Sequence, residues 1–138
     1  MGLFSSMRIS GSALTAQRLR MDVIAGNIAN ADTTRVNGQR QPYQRQQVVF
    51  EPLAQVPGAA GGGLQVAAIV RDEAPAREVY DPAHPDADPT TGMVAYPNVD
   101  TTTEMTDMLS ASRAYEANVT VLNSIKQMAQ RSIDLGRA

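Results

Sequence analysis

The chain has 138 residues, with 12 Lys and Arg against 14 Asp and Glu, one histidine and no cysteine. These counts exclude thiol nucleophiles, disulfides and cysteine-type zinc sites, and they confine any histidine-dependent catalysis to the surroundings of His84. Only 4% of the residues are aromatic, so the large side chains that fill a compact enzyme core are scarce. We expect at most one ordinary domain, and no enzyme.

The two parts of the chain carry opposite charge. Residues 1–50 have six Arg against two Asp, a net charge of +4, whereas residues 51–138 have six Lys or Arg against twelve Asp or Glu, a net charge of −6. This distribution favours pairing between the two parts, or head-to-tail contact between copies, over a nucleic-acid partner. No apolar run approaches the roughly 20 residues of a membrane span, and the N-terminus lacks the pattern of a cleaved secretory signal. We therefore expect no direct membrane insertion.

Residues 3–31 contain no proline and predict one long helix. Apolar side chains recur every seven residues, the spacing of one face of a supercoiling helix, at Met7, Leu14, Met21 and Ile28. The pattern forms a seam that needs a partner helix.

A second long helix is predicted after the turn at residues 96–98, with Thr101 as N-cap, Glu104 completing a capping box and Gly136 as the C-terminal stop. Its apolar seam again has a seven-residue period, at Met108, Tyr115, Leu122 and Ala129. Two such seams predict that the terminal helices form an antiparallel coiled coil, and we interpret all eight positions as a self-association seam.

The middle of the chain differs in character. Short strands are predicted at residues 48–50, 64–70 and 77–80, a flexible glycine turn at 58–63 and a proline-rich loop at 81–92. We expect a mainly α protein whose helices carry a small β-hairpin segment and extended loops between them. The predicted organisation is an N-terminal helical unit over 1–34, the loop and β segment over 35–99, and a C-terminal helical unit over 100–138.

Polar residues interrupt the apolar face near the end of the first helix. One interpretation of residues 27–34 is local capping, in which Asn30 or Asp32 bonds nearby amides. The other makes Asn27 and Asn30 register-setting groups between helices. Both interpretations can hold, because a cap can also lie at an interface.

The loop at residues 81–88 surrounds the single histidine with three carboxylates. Asp81, His84, Asp86 and Asp88 could form a metal site or a general acid/base pair, which would make the protein a metal-binding module or hydrolase. Prolines that hold this loop extended splay alternate side chains apart, and hard cations need several converging oxygens. We therefore expect no metal site and no cofactor.

Several segments together resemble the proteins of the flagellar rod and hook. Residues 10–19 leading to 27–34 are similar to the N-terminal signature of these axial proteins. Residues 69–72, 79–88, 96–99 and 111–118 resemble the flagellar basal-body rod protein C family of the proximal rod. The similarity extends over nearly the whole chain.

This resemblance implies a structural protein of the bacterial flagellum, exported by the flagellar type III apparatus without a cleaved signal peptide. Its expected partners are other rod proteins and copies of itself, in a tube that crosses the periplasm and transmits motor torque. The terminal helices would form the inner layer of the tube, with the polar axial-motif positions at Asn27, Asn30 and Asn118.

Overall fold

A computed structural model describes residues 2–53 and 62–136. In chain order its elements are α1 (Leu3–Ala29), β1 (Gln46–Pro52), β2 (Leu64–Arg71), β3 (Arg77–Tyr80), β4 (Met93–Tyr96) and α2 (Thr101–Leu135). The fold is mainly helical, with two terminal helices that pack against each other and small antiparallel strand pairs between them, which confirms the predicted fold class. Most of the predicted glycine turn, residues 58–61, lies outside the described residues.

The two helices form an antiparallel hairpin. Arg20 of α1 pairs with Asp107 of α2 at 3.2 Å, and seven residues further along α1, Asn27 contacts Glu104. The end of α1 therefore lies beside the start of α2. At 1.5 Å per residue α1 is about 40 Å long and α2 about 52 Å, so the last turns of α2 extend beyond the start of α1. Within the described residues, no helix is both long and apolar enough to cross a membrane.

Buried side chains mark the faces of the two helices that pack against the rest of the chain. On α1 they are Ser10, Ala16, Ile24 and Asn27, and on α2 they are Glu104, Ala111 and Ile125. The eight predicted seam residues are all half-buried. Where serine or alanine is buried the backbones can approach closely, so the most deeply buried positions are not those of the predicted seam.

The start of α2 differs from the prediction. Asp100, not Thr101, is the N-cap, because its carboxylate accepts a hydrogen bond from the Thr102 N–H at 3.0 Å. Glu104 does not close a capping box; its side chain is only 1% exposed and turns into the space between the helices. The local sequence, three threonines and a glutamate after Asp100, fits an N-cap at either Asp100 or Thr101. The contacts of Glu104 with Asn27 and Arg45 keep its side chain from closing a capping box.

Strands β1 and β2 pair in antiparallel register, from Gln46 opposite Arg71 to Pro52 opposite Leu64, with a bulge between Val49 and Phe50. This hairpin packs along α1, where the Ser12 hydroxyl accepts a hydrogen bond from the Leu64 N–H at 3.0 Å. A Cβ at Gly63 would lie 2.6 Å from the Ser12 Oγ. A side chain at position 63 would therefore displace the Ser12 hydroxyl that accepts the Leu64 N–H.

Strands β3 and β4 form a second antiparallel pair. The sequence pattern predicts β3 but not β4, because four residues between a proline-rich loop and a turn carry little strand signal. Val94 of β4 is fully buried, so tertiary packing supplies what the local pattern lacks. Gly92, just before β4, has a φ of +69°, and a Cβ there would lie 2.9 Å from the Tyr80 ring. A residue with a side chain would be strained at this position, so glycine is favoured.

Candidate functional site: the junction of the two helices

A buried polar cluster joins both helices to the β segment. Asn27, 1% exposed, donates from Nδ2 to the Gln46 carbonyl at 2.8 Å and to Glu104 Oε2 at 3.0 Å. Its Oδ1 accepts from the Tyr43 hydroxyl at 3.0 Å and from the Gln46 N–H at 2.9 Å. All four hydrogen-bonding positions of the amide are thus used. We call Asn27, Tyr43, Arg45 and Glu104 the polar junction.

Arg45 supplies the charge that balances Glu104. Its Nε donates to Glu104 Oε1 at 2.6 Å, and its guanidinium also lies 3.5 Å from Asp72 Oδ2 and 3.9 Å from Asp107 Oδ2. The Arg45 side chain is 18% exposed and that of Glu104 1%. A buried carboxylate is tolerated only when it is paired and hydrogen-bonded, so the residue just before β1 holds the first turn of α2 in place.

The electrostatics of the junction extend to Tyr43. Burial raises the pKa of its hydroxyl, and the negative charge of Glu104 raises it further. Tyr43 therefore stays protonated and donates its hydrogen bond to Asn27 throughout the neutral range. The hydrogen bonds and the ion pair of the junction thus tie α1, α2 and β1 to one another.

A second polar contact closes the proline-rich loop onto the segment after α1. Asp86 accepts a hydrogen bond from the Thr34 hydroxyl at 2.8 Å and forms an ion pair with the Arg35 guanidinium, whose Nε lies 3.0 Å away. The hydrogen bonds from Arg35 and Thr34 lower the pKa of the Asp86 carboxyl. We call this contact the loop latch.

The loop latch predicts an acid-dependent loss of stability. Because the pKa of Asp86 is lower in the folded chain than in the unfolded one, its contribution is fully present above the ordinary carboxyl range near pH 4 and is lost as pH falls through the folded value. In urea unfolding at a series of pH values, we expect Asp86→Asn to be less stable than wild type at pH 6 and the difference to shrink towards pH 3. An equal difference at both pH values would contradict this account.

His84 belongs to the same loop but gathers no metal ligands. Its Nδ1 accepts the Asp86 N–H at 3.1 Å, and its ring meets Tyr96 edge-on at 6.1 Å. Asp86 is engaged by Arg35, and Asp88 accepts hydrogen bonds from Thr90. Among the described residues, no group of three or more His, Cys, Asp or Glu could hold a metal ion. The structure does not support the alternative of a metal-binding module or hydrolase at His84.

We expect His84→Ala to leave assembly and motility close to wild type, with a change in unfolding free energy of about 0.5–1 kcal/mol from the lost loop contacts. Titration of wild-type protein with Zn²⁺ or Mg²⁺ should leave its thermal midpoint unchanged. A folding-linked rise that His84→Ala abolishes would revive the metal hypothesis.

The three predicted polar positions have different surroundings. Asn27 bridges α1, α2 and β1. Asn30 is the C-cap of α1, where its Nδ2 donates to the Gly26 carbonyl at 2.9 Å and its Oδ1 accepts from the Thr33 hydroxyl at 3.1 Å. Asn118 donates to the Ala114 carbonyl at 2.8 Å, within α2.

Tyr43 and Arg45 were not among the predicted site residues. Their signal in the sequence is weak: an aromatic and a cation in a glutamine-rich stretch.

Comparison with known proteins places both helices in flagellar families. The profile "Flagella basal body rod protein" matches residues 7–35, most of α1 and its cap, and "Flagellar basal body rod FlgEFG protein C-terminal" matches residues 90–135, which cover β4 and α2. Proteins named "Flagellar basal-body rod protein FlgC" match nearly the whole chain. The one from Escherichia coli O6:H1 is 47% identical over 137 positions, covering 99% of this chain and 100% of its own length.

Proteins of the same name from two other bacteria are also similar to this chain over nearly its whole length. FlgC of Borreliella burgdorferi is 45% identical, covering 96% of this chain and 97% of its own length, and FlgC of Bacillus subtilis is 42% identical, covering 99% and 100%. This chain belongs to the FlgC family of flagellar basal-body rod proteins. FlgC family membership confirms the resemblance seen in the sequence and assigns the chain to the structural proteins of the basal body.

Proposed function

We propose that this FlgC family member is a structural subunit of the proximal rod, which assembles with other rod proteins and with copies of itself and transmits motor torque across the periplasm. Its family and its mainly helical hairpin support this role. The polar junction supports it further, because a hairpin with fixed register resists sliding of one helix past the other under load.

The observation that carries the proposal is the exposed apolar surface of α2. Large apolar side chains are 47–60% exposed along most of this helix and 80% exposed at its end: Met105, Leu109, Val121, Met128, Ile133 and Leu135. These positions lie on several faces of the helix, so α2 can contact more than one neighbouring chain. Different faces of one chain that meet in heterologous contacts generate open helical assemblies, which is the architecture that a rod requires.

Export through the flagellar type III apparatus belongs to the same proposal. A chain without cysteine can be unfolded for transport and can refold in an oxidising compartment without incorrect disulfides. We propose no catalytic activity, because the carboxylate, guanidinium, amide and hydroxyl groups of the junction are engaged with one another.

The test is to delete the gene for this chain, supply it again from a plasmid and purify basal bodies. We expect the complemented strain to swim and the chain to copurify with the rod after detergent and acid have removed the filament. A strain that swims equally well without the chain, or basal bodies that lack it, would refute the proposal.

A further inference from the structure

A tight two-residue turn follows the end of α1 at Asn37 and Gly38. The Val36 N–H donates to the Gln39 carbonyl at 3.2 Å, and the Gln39 N–H donates to the Val36 carbonyl at 3.0 Å. Both central residues have a positive φ, +53° at Asn37 and +78° at Gly38, which is the signature of a type I′ turn. Among the non-glycine residues that the structure describes, Asn37 alone has a positive φ. The Asn-Gly sequence is explained by this turn geometry.

The same turn leaves two reactive groups side by side in solvent. Asn37 and Gly38 are both exposed. Within the part of the chain that the structure describes, neither the Asn37 carboxamide nor the Gly38 N–H has a hydrogen-bond partner. Gly38 also has no side chain that would shield its backbone nitrogen. Asparagine is a thermolabile residue, because the backbone nitrogen that follows it can attack its side-chain Cγ.

Ring closure between these groups needs a particular backbone conformation at Asn37. In the planar five-membered succinimide the Gly38 nitrogen eclipses the Asn37 Cβ about the Cα–C bond, so ψ is about −120°, the value at the first central residue of a type II′ turn. That residue of a type II′ turn also has a positive φ, as Asn37 already does. Because Gly38 accepts either sign of φ, a flip of the one peptide group between Asn37 and Gly38 brings the folded turn into the reactive conformation.

We propose that Asn37 is a site of spontaneous deamidation in the folded chain, and that its isoaspartyl product loosens the connection between α1 and the polar junction. The Gly38 nitrogen loses its proton to a solvent base and bonds to Asn37 Cγ. The Cγ–Nδ2 bond breaks, and the nitrogen takes a proton from water and leaves as ammonia. One water then opens the succinimide, at Cγ to give aspartate or at the backbone carbonyl carbon to give isoaspartate. The net reaction consumes one water, releases one ammonia and oxidises nothing.

The isoaspartyl product has a longer backbone than aspartate. Its main chain passes through Cβ and Cγ, and the additional methylene between Val36 and Gln39 prevents closure of the two-residue turn. This turn returns the chain to the end of α1, where the Tyr43 N–H donates to the Thr33 carbonyl at 3.0 Å. The returning segment carries Tyr43 and Arg45, two of the four residues of the polar junction. A lengthened turn therefore weakens the hold of the junction on both helices.

Trypsin isolates the turn for mass spectrometry, because Arg35 and Arg40 flank it. Native protein would be incubated in mildly alkaline buffer and digested at intervals. We expect the peptide of residues 36–40 to be replaced by two products, each heavier by one water minus one ammonia, with isoaspartate in excess. The control in the same sample is Asn123, exposed on α2. Asn37 should convert at least about tenfold faster, a difference of about 1.4 kcal/mol in activation free energy.

Asn37→Asp separates the added charge from the altered backbone. The variant has the same carboxylate as the product on a main chain of normal length. The isoaspartyl form would be purified by chromatography from aged wild-type protein and unfolded in urea beside this variant and fresh wild type. We expect the isoaspartyl form to unfold at a lower urea concentration than either of them.

Conversion of Asn37 only in a chain unfolded in urea, or conversion no faster than that of Asn123, would overturn the proposed site. An isoaspartyl form as stable as Asn37→Asp would overturn the proposed effect on the junction. Neither measurement depends on rod assembly, so the proposed function is tested separately, by the presence of the chain in basal bodies.

Discussion

Arg45→Met is expected to lower the free energy of unfolding by about 3–5 kcal/mol, because it leaves the buried Glu104 carboxylate without its cation. Methionine keeps an apolar stem of similar size, so the change removes mainly the guanidinium and its charge. Urea unfolding followed by circular dichroism at pH 7 measures the effect. A loss of this size is a large part of the stability of a small domain.

Two variants make this result interpretable. Arg18→Met, at an exposed position of α1, should change stability by less than about 0.5 kcal/mol. Arg45→Met combined with Glu104→Gln removes both charges of the pair and should recover part of the loss, because a neutral amide is less costly to bury than an unpaired carboxylate. If Arg45→Met is no worse than Arg18→Met, the junction does not hold the helices together.

Leu122→Asp is expected to abolish incorporation into the rod. Leu122 is half-buried on α2, and a carboxylate there is partly desolvated without a partner, at a cost of about 1–3 kcal/mol. Motility in soft agar and the content of purified basal bodies measure the effect. The helical content of the purified variant should fall as well, since helices gain most of their stability from tertiary packing.

Asn123→Asp is the matched control, because it adds the same carboxylate one residue along α2 on an exposed position. It should swim and assemble like wild type. Normal motility of Leu122→Asp would show that position 122 is not part of a seam that assembly requires.

Elements of regular period could be predicted from the sequence. The seven-residue apolar repeats predicted both helices, because a helix that packs along one side must repeat its apolar positions at that spacing. The predicted first helix, residues 3–31, ends two residues beyond α1. Residues 48–50 and 64–70 lie within β1 and β2, and residues 77–80 are β3, since β-branched and aromatic residues between turn residues are sufficient signal.

Contacts between distant residues could not be predicted in this way. Asn27 and Glu104 are 77 positions apart, and the local sequence around Glu104 predicts a capping box instead of this contact. Its true partners lie on α1 and just before β1, and no local pattern encodes such a distance. Likewise β4 exists because β3 pairs with it and Val94 is buried.

The amino-acid sequence alone indicates a pair of long helices around a small β segment, and its motifs identify the family, because periodicity and local signatures depend on neighbouring residues. Which side chains meet is settled by the tertiary fold. The fold buries Asn27 and Glu104 against each other, leaves the predicted seam residues half-buried, and joins Arg45 to Glu104. Energies of burial and pairing depend on residues far apart in the chain, and only folding brings those residues together.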